Sequence, residues 1–226
     1  MYICIMSVKI KYPRSFHLPY SEKLSSKDDR SHKSDIHFHG KYVVVSIKMD
    51  GENTTCGNDY SHARSLDSKV DSEDRRWIEN LRVTKIAGNI PDSYRVCGES
   101  LFYRHTCKYE KLDSLFNVFS VWDDKTCLSW KDTLDMCSDL NLTTVTIIYE
   151  GIYDKDIILS KFNEFIEVSE DDVEGFVVRN SESFHYDDFK WNLSKFVRST
   201  FEIPPQQWRY SVKTINGLSS NDNPWK

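Results

Sequence analysis

Residues 39–55 run HGKYVVVSIKMDGENTT. Within them, residues 41–47 (KYVVVSI) are rich in β-branched side chains, which suit a pleated, half-buried surface and predict a strand. Lys48 follows at its end, and Asp50-Gly51 supplies turn chemistry, with Gly51 permitting a tight backbone. The pattern sets an amine at the mouth of a sheet. By itself such a lysine is equally well explained as a solvated residue before a turn, so its meaning depends on what surrounds it.

Outward from this strand, residues 53–56, the turn Gly57-Asn58-Asp59 and residues 60–65 predict a hairpin that folds back and brings Arg64 near Lys48. Residues 72–88 have helical periodicity, with Trp77, Ile78 and Leu81 on one face. Residues 95–98 and 116–122 predict strands. Ser129 followed by Asp132 marks a helix start, and Trp130, Leu134, Cys137 and Leu140 continue at helical spacing. A strand is predicted over 143–149, a helix over 156–167 with Ile158, Phe162, Phe165 and Ile166 inward, and strands over 175–179 and 195–197. The polar run 21–35 predicts an exposed loop, and residues from 216 onward a loose tail. Strands and helices mix without a regular β-α-β alternation. That predicts an α+β fold with mainly antiparallel sheets rather than a doubly wound one.

The chain has 226 residues, 39% hydrophobic and 29% charged, enough apolar material for one core and a single domain over 1–226. Its formal charge of −5 excludes a strongly basic nucleic-acid binder but not a local basic surface. The charge is uneven: residues 1–48 hold nine Lys/Arg and four Asp/Glu, while residues 150–189 hold three and twelve. Residues 190–226 return to six against two, so phosphates could meet the two basic ends. The apolar run at the start is cut by Lys9 and is too short for a secretory signal. No stretch approaches the roughly 18–20 apolar residues of a membrane span. The six cysteines form no C-x-x-C pair, which predicts reduced thiols in an intracellular compartment.

Lys48-Met49-Asp50-Gly51 is followed by Arg64, by Gly98-Glu99-Ser100-Leu101-Phe102 and by Phe119 in a predicted strand. Glu174-Gly175-Phe176-Val177-Val178-Arg179 and Lys195-Phe196-Val197-Arg198 come next. The intervals are 16 residues from Lys48 to Arg64, 51 to Glu99, 75 from Glu99 to Glu174 and 21 from Glu174 to Lys195. Over about residues 36–200, this order resembles the covalent nucleotidyltransferases, the superfamily of DNA and RNA ligases and mRNA capping enzymes. Lys48, Gly51 and Asn53 also match the K-x-x-G-x-N of the second phage-type RNA ligase group, and the strings HARSLDS and FHYDDF look like RNA ligase sequences. Two positions depart from the pattern. Ser120 stands where many members have an acid after the aromatic, and the usual final K-x-K is replaced by Lys195 and, one position late, Arg198.

The resemblance implies an adenylation domain of two mainly antiparallel sheets flanked by helices. Relatives append an OB-fold or helical domain, and the 28 residues after Arg198 predict neither here. It implies an ATP-dependent RNA ligase that joins a 5′-phosphate to a 3′-hydroxyl through AMP carried on Lys48, with Mg²⁺ or Mn²⁺. Asp50 and Gly51 would belong to the nucleotide site, Arg64 would contact ribose or phosphate, and Glu99 would bind the ribose hydroxyl. Phe119 would stack on adenine, while Glu174 and Asn53 would serve the metal. An unperturbed lysine is almost wholly protonated at neutral pH, so Lys48 must be made to lose its proton. Lys195 and Arg198 are the cations expected to disfavour the charged amine and to neutralise the triphosphate. The implied partner is RNA, as a nicked duplex or single-strand ends; a DNA-containing duplex and a helper protein are further candidates. The rivals are a DNA ligase, a GTP-using capping enzyme, or a non-catalytic nucleic-acid-binding relic of the fold. His37 and His39 share a strand-like spacing but have no Cys or acidic partner at metal-ligand spacing.

Overall fold

The computed structural model describes residues 8–24, 28–66, 72–201 and 213–220. Two sheets face each other. The first has the order β1 (Phe16–His17), β12 (Leu193–Val197), β10 (Gly175–Asn180), β2 (Tyr42–Ile47) and β9 (Ile147–Ile152). The second runs β11 (Phe184–His185), β7 (Thr126–Cys127), β6 (Phe116–Asp123), β5 (Tyr94–Ser100), β3 (Glu52–Cys56) and β4 (Ser61–Ala63), with β8 (Thr143–Thr144) also paired to β6. Pairing is antiparallel except for β1 with β12 and β6 with β8, as the α+β pattern predicts.

Alternation along the strands divides each sheet into a packed outer face and an inner face. On the first sheet Val43, Val45, Phe176, Val178 and Phe196 point outward against α3 (Lys155–Val168), where Ile158 and Phe162 are fully buried. Phe176 and Phe196 stack at 4.7 Å between centroids. Each such side chain contributes about 1.5–3 kcal/mol by leaving water. Asp154 caps α3 by accepting from the amides of Asp156 and Ile157. The outer side of the second sheet is covered by α1 (Glu73–Leu81) and α2 (Trp130–Asp139), which insert Trp77, Ile78, Leu81 and Cys137 around Val96, Phe116 and Val118. A short helix, α4 (Phe189–Asn192), leads into β12.

Several expectations need correction. The predicted strand over 143–149 is two strands in different sheets. The Val145 amide donates to Val118 O at 3.0 Å in the second sheet, and Thr146 O accepts from the Ile47 amide at 2.8 Å in the first. The chain therefore crosses between the layers at these two residues. A uniform run of β-branched residues hides that exchange of partners. Leu134 is 39% exposed, because α2 buries Trp130, Thr133 and Cys137 and turns Leu134 off that face. The helix predicted over 72–88 holds regular geometry to Leu81, widens into a π turn over Arg82–Ile86 and ends before Gly88, whose φ is 76°. The loop 21–35 is only partly exposed among its described residues: Asp29 keeps 6% of its side-chain surface and His32 is buried. The predicted loose tail is anchored at Asn216, which is buried, donates to Leu101 O and accepts from the Tyr109 amide; residues 221–226 lie outside the described part. Cys56, Cys97, Cys107, Cys127 and Cys137 are buried free thiols, and Cys4 lies outside the described residues. Among the described residues no helix is long and apolar enough to cross a membrane.

Candidate functional site

The inner faces of the two sheets enclose a cleft, and Lys48 stands at its floor. The Lys48 amide donates to Gly175 O at 2.9 Å, extending the β2–β10 pairing one residue past the strand. This places the lysine beside the residue before β10, and its Nζ donates to Glu174 Oε2 at 2.5 Å. The Glu-Gly order has a packing cause: a Cβ on Gly175 would collide with the carbonyl of Phe196, so only glycine lets β10 approach β12 this closely. Burial disfavours the charge on Lys48, but the Glu174 carboxylate, supported by Glu99 and Asp50, outweighs this and holds the amine well above the ordinary lysine value. Burial in turn raises Glu174, with Lys48 opposing. The immediate surroundings of Lys48 are thus acidic, not the ring of cations expected from the sequence. The late cations come from β12, whereas Glu174 opens the adjacent β10 directly beside Lys48.

The second sheet supplies the opposite wall. Asn53 and Glu99 are register partners across β3 and β5, and the Arg64 amide donates to Asn53 O at 3.0 Å. All three side chains line the cleft. Glu99 Oε1 accepts from the Gly51 amide at 3.1 Å. A Cβ on Gly51 would strike Ser100 O, so this turn requires glycine. Burial pushes the Glu99 carboxyl up to about 8 against the pull of Lys48, so near neutral pH it holds a proton. Asp50 points elsewhere. Its Oδ2 accepts from the amides of Thr106 (2.7 Å) and Cys107 (2.8 Å), and its own amide donates to the Tyr109 hydroxyl at 2.9 Å. It anchors the turn that presents Lys48 and is not on the cleft wall.

One end of the cleft is apolar, with Val44, Phe119, Trp130 and Val145 on its walls. Arg179, given no role in the site by the sequence reading, is buried here. Its guanidinium donates to Phe119 O (3.2 Å) and Leu128 O (2.8 Å) and lies 5.4 Å from the centre of the Trp130 ring. Tyr12 approaches Phe119 edge-on at 5.1 Å between centroids. Sequence reasoning missed Tyr12 and Arg179 as site residues and treated Trp130 only as helix core. The signal for Arg179 was present: alternation along β10 puts Val177 and Arg179 on the face opposite Phe176 and Val178. Tyr12 had no comparable signal, because it lies outside any long strand.

Lys195 also lines the cleft, as the register partner of Val177 across β12 and β10, and its Nζ lies 3.0 Å from Asp29 Oδ1. Arg198 follows β12 with its amide donating to Glu174 O at 3.2 Å, but its side chain is not on the cleft wall. For a divalent cation, the test is the donor set. Asn53 Oδ1 is buried without a hydrogen-bond partner and shares the cleft wall with Lys48, the partner of Glu174. Oxygen donors of this kind suit Mg²⁺ or Mn²⁺, which retain waters and bind phosphate oxygens. Among the described residues no group of three or more His, Cys, Asp or Glu is gathered to hold a metal by itself. His37 packs against His32 and His39 lies near Asp35, so the two do not act together.

The site residues gathered in the cleft are therefore Lys48, Asn53, Arg64, Glu99, Phe119 and Lys195, with Glu174 bonded to Lys48, while Asp50 and Gly51 build the turn beneath them. Among solved structures, an Aquifex aeolicus protein assigned as an ATP-dependent DNA ligase superposes with a TM-score of 0.54 at 16% identity. The match covers 84% of this chain and 50% of that one. An unliganded Naegleria gruberi RNA ligase variant gives 0.48 at 13% identity, covering 72% and 51%. Another variant of that enzyme, with ATP and Mn, gives 0.47 at 16% identity, covering 80% and 58%. The chain spans about half the length of these solved ligases. No curated protein matches it. The first likeness shows the fold, that of a ligase nucleotidyltransferase domain. The sequence pattern described as RNA ligase matches residues 41–197, from the start of β2 to the end of β12, and the chain belongs to the RNA ligase family.

Proposed function

We propose that this domain is the adenylyl-transfer centre of an ATP-dependent RNA ligase and that Lys48 carries the AMP. One observation carries this reading: Lys48 Nζ sits at the floor of a cleft, 2.5 Å from a buried carboxylate, and the cleft has an aromatic and apolar end and is also lined by Lys195. The apolar end fits a purine between Phe119 and the Trp130 wall. Glu99 and Arg64 would serve the ribose and its phosphate, and Lys195 the triphosphate; all three line the cleft, which supports this reading. A divalent cation held by the unpartnered Asn53 Oδ1 would supply charge neutralisation on the phosphates.

In the first step the Lys48 proton passes to Glu174 Oε2, the carboxylate in hydrogen-bond contact with it. The freed Nζ bonds to the α-phosphorus of ATP as the bond to the bridging oxygen breaks, and pyrophosphate leaves. In the second, an oxygen of an RNA 5′-phosphate takes the AMP and Lys48 recovers its proton. In the third, a 3′-hydroxyl attacks the activated phosphate and AMP departs. Lys195 and Arg64 provide fixed positive charge where the phosphate charge develops, which is how phosphoryl transfer is chiefly accelerated.

The test is incubation with α-labelled ATP or GTP and Mg²⁺ or Mn²⁺, followed by denaturing electrophoresis. Label is expected from ATP and none from Lys48→Ala. Labelling by GTP alone would point to capping-type chemistry, and no labelling by either would overturn the reading. Nicked RNA and nicked DNA duplexes offered side by side then decide the substrate, with RNA joining expected.

A further inference from the structure

Lys195 is supported from behind. Its side chain lines the cleft, yet the carboxylate that holds it does not: Asp29 opens onto a separate hollow beside Arg14, Ser15 and Arg30. The three side chains run inward with falling exposure, 11% for Lys195, 6% for Asp29 and none for His17. Lys195 Nζ lies 3.0 Å from Asp29 Oδ1, and Asp29 Oδ2 lies 3.4 Å from His17 Nε2. His17 Nδ1 meets Ser21 Oγ at 2.8 Å, and that oxygen accepts the Val197 amide at 3.0 Å. The Ser21 hydroxyl also reaches Lys23 O at 3.5 Å. His17 Nε2 is buried and meets Asp29 Oδ2 at ion-pair distance, outside hydrogen-bond geometry. The backbone closes the circuit: the Leu18 amide donates to Lys195 O, and the His17 amide to Arg30 O. Lys195 and Val197, two residues apart on β12, are thus tied to the same histidine by different routes.

We propose that Asp29 and His17 form a positioning pair for Lys195, holding its ammonium at the cleft wall so that its remaining N–H donors face the phosphates of ATP. This rests on the adenylyl-transfer reading above. The groups facing Lys195 are Asp29, His17 on β1, Lys48 beyond β2 and Glu174 before β10. Burial pulls the Lys195 amine below its ordinary value and Lys48 adds to this, while Asp29 and, more weakly, Glu174 oppose it. His17 is itself depressed by burial and by Lys195, so it supports Asp29 as a neutral ring. Without the Asp29 charge, Lys195 loses both its direction and part of what keeps it a cation.

The experiment measures lysyl–AMP formation from labelled ATP between pH 6.5 and 9.5. It compares the unaltered protein, Asp29→Asn, Asp29→Glu, and Lys195→Arg with and without Asp29→Asn. If the unaltered protein takes no label, the adenylyl-transfer reading fails and this pair is not at issue. If it labels, Asp29→Asn is expected to raise the KM for ATP about tenfold, as for one charged hydrogen bond. It should also move the alkaline fall in rate about one pH unit lower, the sign given by losing an anion beside a lysine. Asp29→Glu keeps the charge, so the alkaline fall stays in place while KM rises. In the Lys195→Arg background, Asp29→Asn leaves the alkaline fall unmoved, because a guanidinium does not lose its proton. An alkaline fall unmoved in Asp29→Asn, whether or not the rate drops evenly at all pH, overturns the proposal. Should the amide variant not fold, Asp29→Glu decides alone: an unchanged KM overturns the proposal, and a raised KM with the fall in place supports it.

Discussion

Two parts of the cleft are built on opposite principles. At the apolar end, Phe119, Trp130 and Val145 are held by packing, and the charged group present, Arg179, is committed to backbone carbonyls. In the charged part, Lys48 is matched to Glu174 and Lys195 to Asp29, each a lysine bonded to one carboxylate. Under the proposed function, a base would enter a surface already formed by packing. The ion pairs in the charged part would have to exchange partners before a triphosphate could be held or attacked. Specificity for the base would then belong to shape, and the reaction to proton transfer within buried pairs.

The sharpest way to break this contrast is to remove the nucleophile. Lys48→Ala is expected to abolish covalent labelling by ATP, and Lys48→Arg should do the same, since a guanidinium keeps its proton. Residual label at another residue would displace Lys48 from its role. Next in size is Glu174→Gln, which removes the proton acceptor in contact with Lys48. Adenylation should slow by about 10²–10⁴-fold, measured under single-turnover conditions at saturating ATP. A rate that survives would mean the proton leaves by another path. At the apolar end, Phe119→Ala should raise the KM for ATP by about 5–100-fold with a much smaller change in kcat, the loss of one base-stacking face. If kcat falls instead, the two parts are not separable.

The smallest effect concerns Glu99. Between the ordinary carboxylate range and about 8, the folded protein keeps a proton on Glu99 that the unfolded chain has released. Stability from this group is present below that window and is lost as pH rises through it. Glu99→Gln should therefore flatten the decline of Tm between about pH 5 and 8. An unchanged slope would show that the carboxyl is ionised in the folded state.

How far the sequence reaches can be traced through single elements. The strand before Lys48 is legible because β-branched residues in an unbroken run have few alternatives. The capped start of α2 at Ser129 is equally local: its hydroxyl accepts from the Asp132 amide, as the spacing predicts. By contrast, β1 and β11 span two residues each, too short for any periodicity, yet β1 carries His17. The Thr143–Thr144 and Ile147–Ile152 strands read as one because a change of sheet leaves no mark on composition. Burial of Arg179 is not legible in the sequence because it depends on carbonyls of Phe119 and Leu128, distant along the chain, accepting from its guanidinium.

The order of motifs, with Lys48, Glu99, Glu174 and Lys195 at their intervals, determined the family and the residues worth watching. Local propensity could supply the strands that carry them, because alternation and turn chemistry are properties of neighbouring residues. Which charge meets which was decided only in three dimensions. Glu174 lies 126 residues from the lysine it pairs with, and Asp29 lies 166 from Lys195. Electrostatic energy depends on separation in space and on loss of water, and neither quantity is written along the chain.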